Sequence, residues 1–223
     1  MSFFSSLKNP YNQLLFALVA LVVLSPFIVH AEGKLPLLPI FYSLIILSSM
    51  RIICQKKTLY TAIGLMALVA IVLDFLIGFG WVPKPGQWML AADLLYICFT
   101  IATIFALMRR IFSESRVTIN TITGSVAVYL LIGMLWIFFY YVAALITPNA
   151  FGPGVVGPDT RAPTFFYLSF TTLTTLGYGD IVPTNYLTRV LTCVEAICGQ
   201  IFLTVFVARL VGLHIAHETM RKN

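Results

Sequence analysis

Apolar runs long enough to cross a bilayer recur along this chain, and no other feature limits its fold so severely. Crossing about 30 Å of hydrocarbon takes roughly 20 helical residues. Six such runs can be marked: Leu14 to Val29, Leu35 to Ile53, Leu59 to Gly80, Trp88 to Leu107, Thr121 to Ile146 and Tyr186 to Leu213. Inside hydrocarbon every backbone donor and acceptor needs a partner within the protein, so apolar spans of this length are helices. At 1.5 Å per residue the fifth run reaches about 39 Å, enough to cross with tilt. The sixth is longer and is expected to project into water. With 60% hydrophobic and only 10% charged residues among 223, the composition excludes an ordinary soluble domain. The expectation is an all-α membrane protein with six transmembrane helices, not a single anchor carrying a soluble unit. The N-terminus has one rival reading: Lys8, the run from Leu14 to Val29 and the triplet Val29-His30-Ala31 imitate a signal peptide.

The net charge is +6, and its placement decides its meaning. There is no basic stripe of the kind nucleic acid binds, so no nucleic-acid partner is expected. The basic residues fall instead at the ends of the runs. Lys8, Arg51, Lys56, Lys57, Arg109, Arg110, Arg116, Arg209, Arg221 and Lys222 share one side, whereas Lys34, Lys84, Arg161 and Arg189 share the other. The richer side is cytoplasmic by the positive-inside rule, which puts both termini inside. Trp81 and Trp88 flank an external turn where an aromatic belt is expected. Small size and short loops point, by economy, to a prokaryotic inner membrane, and no appended ligand-binding domain is visible.

Between the fifth and sixth runs the composition changes. A polar, Pro/Gly-rich loop leads to a stretch of about three helical turns, Thr164 to Thr174, with Pro163 or Thr164 suited to its start. It is too short to span, so it re-enters from the outer side. The sequence that follows, Leu-Gly-Tyr-Gly-Asp from Leu176 to Asp180, can hardly be helical with two glycines so close together. Non-helical backbone at membrane depth is tolerated where protein surrounds it or it lines a watery cavity.

Glycine can turn successive peptides alike, because positive φ brings no Cβ against a carbonyl. Alternating Gly177 and Gly179 with Leu176 and Tyr178 lets the carbonyls of Thr175, Leu176, Gly177 and Tyr178 face one axis, with the Thr175 hydroxyl below them. Such oxygens can replace the water around a cation. One chain supplies one oxygen per level, so enclosing an ion takes four, and a homotetramer is expected. The short helix would aim the partial negative charge of its C-terminus at the cavity beneath. Thr174 is placed to support the segment by hydrogen bonding, and Asp180 would form an acidic ring at the outer mouth.

The run TTLTTLGYGD between two membrane spans resembles the signature of potassium channels, whose loops read TVGYG. Here Leu176 stands for the usual valine, a small departure because the carbonyl would touch the ion. The resemblance covers about residues 120 to 215 and is to tetrameric six-transmembrane channels of the voltage-gated-like superfamily, bacterial type. It implies K+ bound at Thr175, Leu176, Gly177 and Tyr178, no organic cofactor, and a selectivity filter completed by Gly179. It also implies a bend of the inner helix at Gly199, for which close helix packing is a nearly equal reading, and an apolar constriction at Val207, Val211 and Ile215. The domain division that follows is residues 1–116 as a four-helix membrane domain, 117–215 as a pore domain and 216–223 as a short cytoplasmic tail.

Voltage sensors of that superfamily carry basic residues in the fourth span, but Trp88 to Leu107 contains none. A channel without steep voltage dependence is expected. Three acids lie at membrane depth, Asp74, Asp93 and Glu195, where an unpaired charge is expensive. Glu195 is expected to clamp the structure behind the filter, and Asp74 and Asp93 to share polar contacts. His214, His217 and Glu218 are expected at the cytoplasmic end of the last helix. Cys54, Cys98, Cys193 and Cys198 have neither metal-ligand nor disulfide-framework spacing and read as buried thiols. No arrangement of nucleophile, base and oxyanion donors and no phosphate loop is present, so enzymatic activity is not expected. The alternatives are a weakly selective cation channel, a secondary transporter and a non-conducting regulatory subunit.

Overall fold

The computed structural model describes residues 9–31, 45, 49, 57–78, 81, 83, 85–114, 117–147, 149–152 and 161–222. Every extended element among them is α-helical: α1 (Pro10–Ala31), α2 (Lys57–Gly78), α3 (Pro85–Ser113), α4 (Ile119–Ile146), α5 (Arg161–Leu173) and α6 (Tyr186–Lys222). Among the described residues, three stretches are long and apolar enough to cross a membrane: Gly86–Ser113, Ile119–Ile146 and Tyr186–Leu213. The apolar stretches Pro10–Leu24 and Gly64–Ile77 are shorter. The second expected run, Leu35 to Ile53, lies outside the described residues except for Ile45 and Ser49, which are helical and buried.

Helix ends differ from the sequence reading for local reasons. α3 starts at Pro85, which suits a first turn because its missing N–H would have no helical partner there. It then runs past Leu107 through Arg109 and Arg110, whose charge complements a helix C-terminus. α5 starts at Arg161, two residues before Pro163, since proline is tolerated within the first turn. α4 opens on a capping box. The Thr121 N–H donates to Thr118 Oγ1, and the Thr118 N–H donates to Thr121 Oγ1, each at 3.2 Å. These bonds satisfy donors that no helical carbonyl can reach.

α4 is apolar on every side and sits at the centre, packed against α1, α3, α5 and α6. Toward its N-terminal half, Leu131 and Met134 join Leu14 and Leu18 of α1 and Leu107 and Ile111 of α3 in one core. Toward its C-terminal half, Tyr140 meets Phe151 edge to face, with centroids 5.3 Å apart, and Phe151 packs on Phe165 of α5 at 4.9 Å. This aromatic cluster fixes the 149–152 turn and the start of α5 against α4. The same turn is tied to α6: the Thr184 N–H and the Thr188 hydroxyl both donate to the Ala150 carbonyl, each at 3.0 Å. Asn185 caps α6 by accepting from the Thr188 N–H at 2.9 Å.

α6 is packed along one narrow stripe. Thr188, Glu195 and Gly199 are buried, and their spacings of seven and four put them on one helical face. The remainder of the apolar surface is open in the single chain, including Val190, Val194, Ile197 and Ile201. Continuous apolar exposure of this kind marks a surface for lipid or for another protein chain.

Candidate functional site

The segment from Thr174 to Asp180 leaves α5 through a helix cap. The Leu176 N–H donates to the Thr171 carbonyl at 2.8 Å, and the Thr175 N–H donates to the Thr172 carbonyl at 2.9 Å. This pair of bonds is the pattern that stops a helix on a left-handed residue. That residue is Thr175, with φ +59°, where glycine is the usual occupant. A β-branched side chain in this conformation costs about 1–2 kcal/mol. The sequence reading placed positive φ at the glycines alone, and it missed Thr175 because no residue preference points there.

Gly177 (φ +47°) and Gly179 (φ +78°) are left-handed as their type permits. Among the described residues the positive-φ non-glycines are Asn149 and Thr175, so Leu176 and Tyr178 keep ordinary φ. Positive φ therefore alternates with negative φ from Thr175 to Gly179. Alternating the sign of φ is a backbone pattern by which successive carbonyls can face one way. Every residue from Thr174 to Asp180 is exposed in the single chain.

Two side chains of the segment are held back against α5. The Tyr178 ring stacks on the Tyr167 ring, with centroids 6.3 Å apart and planes 2° from parallel. The Tyr167 hydroxyl and Asp180 interact electrostatically. The Thr174 hydroxyl turns onto its own helix, donating to the Phe170 carbonyl at 2.6 Å. The Thr175 hydroxyl donates to the Thr174 carbonyl at 2.7 Å and accepts from Gln200 Nε2 at 3.5 Å.

Behind this segment lies Glu195, fully buried on α6. The Tyr140 hydroxyl of α4 is bonded to Glu195 Oε2, and Ser169 Oγ of α5 lies 2.6 Å from Glu195 Oε1. Ser169 Oγ also donates to the Gly133 carbonyl at 2.7 Å. Gly133 permits the approach, because a Cβ there would stand 3.0 Å from the Phe170 ring. Neither Gly133 nor Ser169 stood out in the sequence. The one available signal was an acid at membrane depth, which requires polar partners without saying where they lie.

Gly199 faces the end of α5. A Cβ built on it would overlap the Leu173 carbonyl oxygen and lie 3.0 Å from Leu173 Cδ1. The same carbonyl accepts from the Tyr129 hydroxyl of α4 at 3.2 Å. α6 runs unbroken through Gly199, so what the structure demands of this glycine is room for α5. Below it, Val207, Val211 and Ile215 are 54%, 52% and 58% exposed on one face. Arg209 points elsewhere: its Nη2 donates to the carbonyls of Ile111 at 2.7 Å and Glu114 at 2.9 Å. Its guanidinium lies over the Phe112 ring at 4.7 Å. The sequence reading used Arg209 for orientation alone and missed this tie to the end of α3.

In the N-terminal helices the Tyr96 hydroxyl donates to Asp74 Oδ2 at 2.6 Å, and Asp93 acts electrostatically on the same tyrosine. The side chains of His214, His217 and Glu218 lie outside the described residues, as does Cys54. The expectation of buried thiols needs correction. Cys98 and Cys193 are exposed in the single chain and Cys198 is half-buried, because an apolar position in such a helix can face lipid or a neighbouring chain as readily as the core.

Residues 117–214, covering α4 to most of α6, match the family described as Ion channel. The chain is also similar to the Arabidopsis thaliana protein named Two-pore potassium channel 4, with 31% identity over 101 residues. That stretch is 45% of this chain and 36% of the relative, so the chain spans little more than a third of the relative's length. No solved structure matches it. The long apolar helices and the family match together mark a helical, multi-pass membrane protein whose residues 117–214 are similar to ion channels.

Proposed function

We propose that four copies of this chain form a potassium-selective channel, with α4 and α6 as outer and inner pore helices, α5 as the pore helix and Thr175 to Gly179 as the selectivity filter. The observation that carries this reading is the alternation of left-handed Thr175, Gly177 and Gly179 with Leu176 and Tyr178. Aligned carbonyls of this kind coordinate a dehydrated cation only when several chains present them to one axis. Exposure of the whole segment and of the α6 apolar face in the single chain supports assembly, since both surfaces need partners. The likeness of residues 117–214 to ion channels, and of 101 residues to a protein named as a potassium channel, supports the same reading.

In this account K+ is the permeant ion, held at Thr175, Leu176, Gly177 and Tyr178. Asp180 rings the outer mouth, with Tyr167 fixing its direction. Thr174 and Glu195 support the filter from within the subunit. Gly199 is where α6 meets the end of α5 and where its bend during opening would begin. Val207, Val211 and Ile215 form the apolar constriction that closes by excluding water. Both termini are cytoplasmic, four helices precede the pore, and opening is not steeply voltage-dependent because Trp88 to Leu107 carries no basic residue.

Purified protein in lipid vesicles tests the proposal. The expected result is a particle with four subunits and passive K+ efflux that Gly177→Ala abolishes without dispersing the tetramer, since alanine is strained at φ +47°. A monomeric particle, or efflux untouched by that substitution, contradicts it.

A further inference from the structure

The hydrogen-bond geometry around Glu195 constrains where the protons can be. Ser169 Oγ is 2.7 Å from the Gly133 carbonyl oxygen and 2.6 Å from Glu195 Oε1. A carbonyl oxygen can only accept, so the single Ser169 proton points to Gly133. The short contact between Ser169 Oγ and Glu195 Oε1 then needs a proton of its own, and the glutamate is the remaining source. The Tyr140 hydroxyl supplies the proton for Oε2. Three contacts are thus filled by three protons, one each from Tyr140, Ser169 and Glu195. With an ionised Glu195, only two protons would serve three contacts, leaving two oxygens 2.6 Å apart with none between them.

We infer that Glu195 is held as a neutral carboxylic acid whose proton joins α6 to Ser169 of α5, making it a positioning residue that fixes the pore helix beneath the filter. The inference deepens the channel reading and rests on it for its functional meaning. The charge environment agrees. Glu195 is fully buried, and the groups that face it are Tyr129 and Tyr140 of α4 and Ser169 of α5, with Cys193 of α6 beside Tyr140. No cation is among these, and a buried carboxylate without one carries a large desolvation penalty. A neutral acid avoids that penalty while linking three helices: Tyr140 and Gly133 belong to α4, Ser169 to α5 and Glu195 to α6. The chain Gly133–Ser169–Glu195–Tyr140 therefore sets the depth of α5 against both of its neighbours, and with it the level at which Thr175 begins the filter.

Infrared difference spectroscopy of the assembled protein in lipid vesicles tests this directly. Wild type minus Glu195→Gln is expected to show loss of a protonated carboxyl C=O band, and Ser169→Ala is expected to shift that band as the acid loses its acceptor. Glu195→Gln carries an N–H donor and a carbonyl acceptor in the same places, so it is expected to keep the tetramer's thermal midpoint near wild type. Glu195→Met offers neither and is expected to lower it. Loss of an ionised carboxylate band instead, or failure of Glu195→Gln to assemble where the wild type does, overturns the inference. K+ efflux of the unmodified protein, measured in the same vesicles, separates the two claims. A silent wild type that shows the carboxyl band refutes the channel and leaves the neutral acid standing.

Discussion

The ring of Tyr178 stacks on that of Tyr167, 2° from parallel with centroids 6.3 Å apart, and the Tyr167 hydroxyl interacts electrostatically with Asp180. One residue of α5 thus engages two side chains of the 174–180 segment. Removing the ring frees both. Tyr167→Ala is expected to lower the permeability of K+ relative to Na+, read from the reversal potential under unequal ions. Tyr167→Phe, which keeps the ring and loses only the hydroxyl, is expected to lower it less. Equal effects from the two substitutions would show that the stack does not matter.

The contact between Gly199 and Leu173 yields a prediction about stability. A Cβ at residue 199 must displace the Leu173 carbonyl, which is backbone and already bonded to Tyr129. Gly199→Ala is therefore expected to destabilise the folded protein by about 1–3 kcal/mol, the usual cost of overpacking. Gly86→Ala, where nothing lies within 4 Å of the added atom, is expected to be neutral. Thermal unfolding in detergent distinguishes them. A Gly199→Ala protein as stable as wild type would remove the close approach from the account.

Much of this architecture is legible in the sequence, and the residues that are not share a cause. Hydropathy marks α3, α4 and α6 because each carries a stretch long and apolar enough to cross a membrane, and α5 because it is too short to span. Gly177 and Gly179 announce their backbone because few other residues adopt it readily. Thr175 does not, since its left-handed φ is imposed by the cap on α5 against the preference of its side chain. Glu195 signals a need for partners, but Ser169 and Gly133 are picked out only when helices α4 and α5 come together. The cysteines mislead for the complementary reason: hydropathy does not say whether an apolar side chain faces the core, lipid or another chain. Arg209 has the same ambiguity, being read as an interfacial charge while its guanidinium closes onto Ile111 and Glu114.

That tie gives a further test. Arg209 donates to two carbonyls at the end of α3 and covers Phe112, joining the C-terminal part of α6 to α3. Arg209→Gln is expected to cost about 1–2 kcal/mol, a charged hydrogen-bond loss reduced by partial exposure. Hydrogen exchange should become faster in α6 beyond residue 209. Arg209→Lys should recover only part of the protection, because an ammonium cannot stack on the Phe112 ring as the planar guanidinium does. Unchanged exchange in both variants would show that the two ends are not coupled.

The absence of Lys and Arg from Trp88 to Leu107 leaves no basic residue there to move through the field, each such charge being worth about 2.3 kcal/mol per 100 mV. Conductance of the reconstituted protein is expected to vary only gradually with voltage. A steep rise over a modest voltage range would require a sensor elsewhere in the chain.

The central claim is that carbonyls of Thr175 to Tyr178 from four chains select K+. The reversal potential of the purified, bilayer-reconstituted protein, with K+ on one side and Na+ on the other, tests it most directly. The account predicts a value displaced far toward the potassium equilibrium potential. A reversal near zero, or no current from a correctly assembled tetramer, would contradict it.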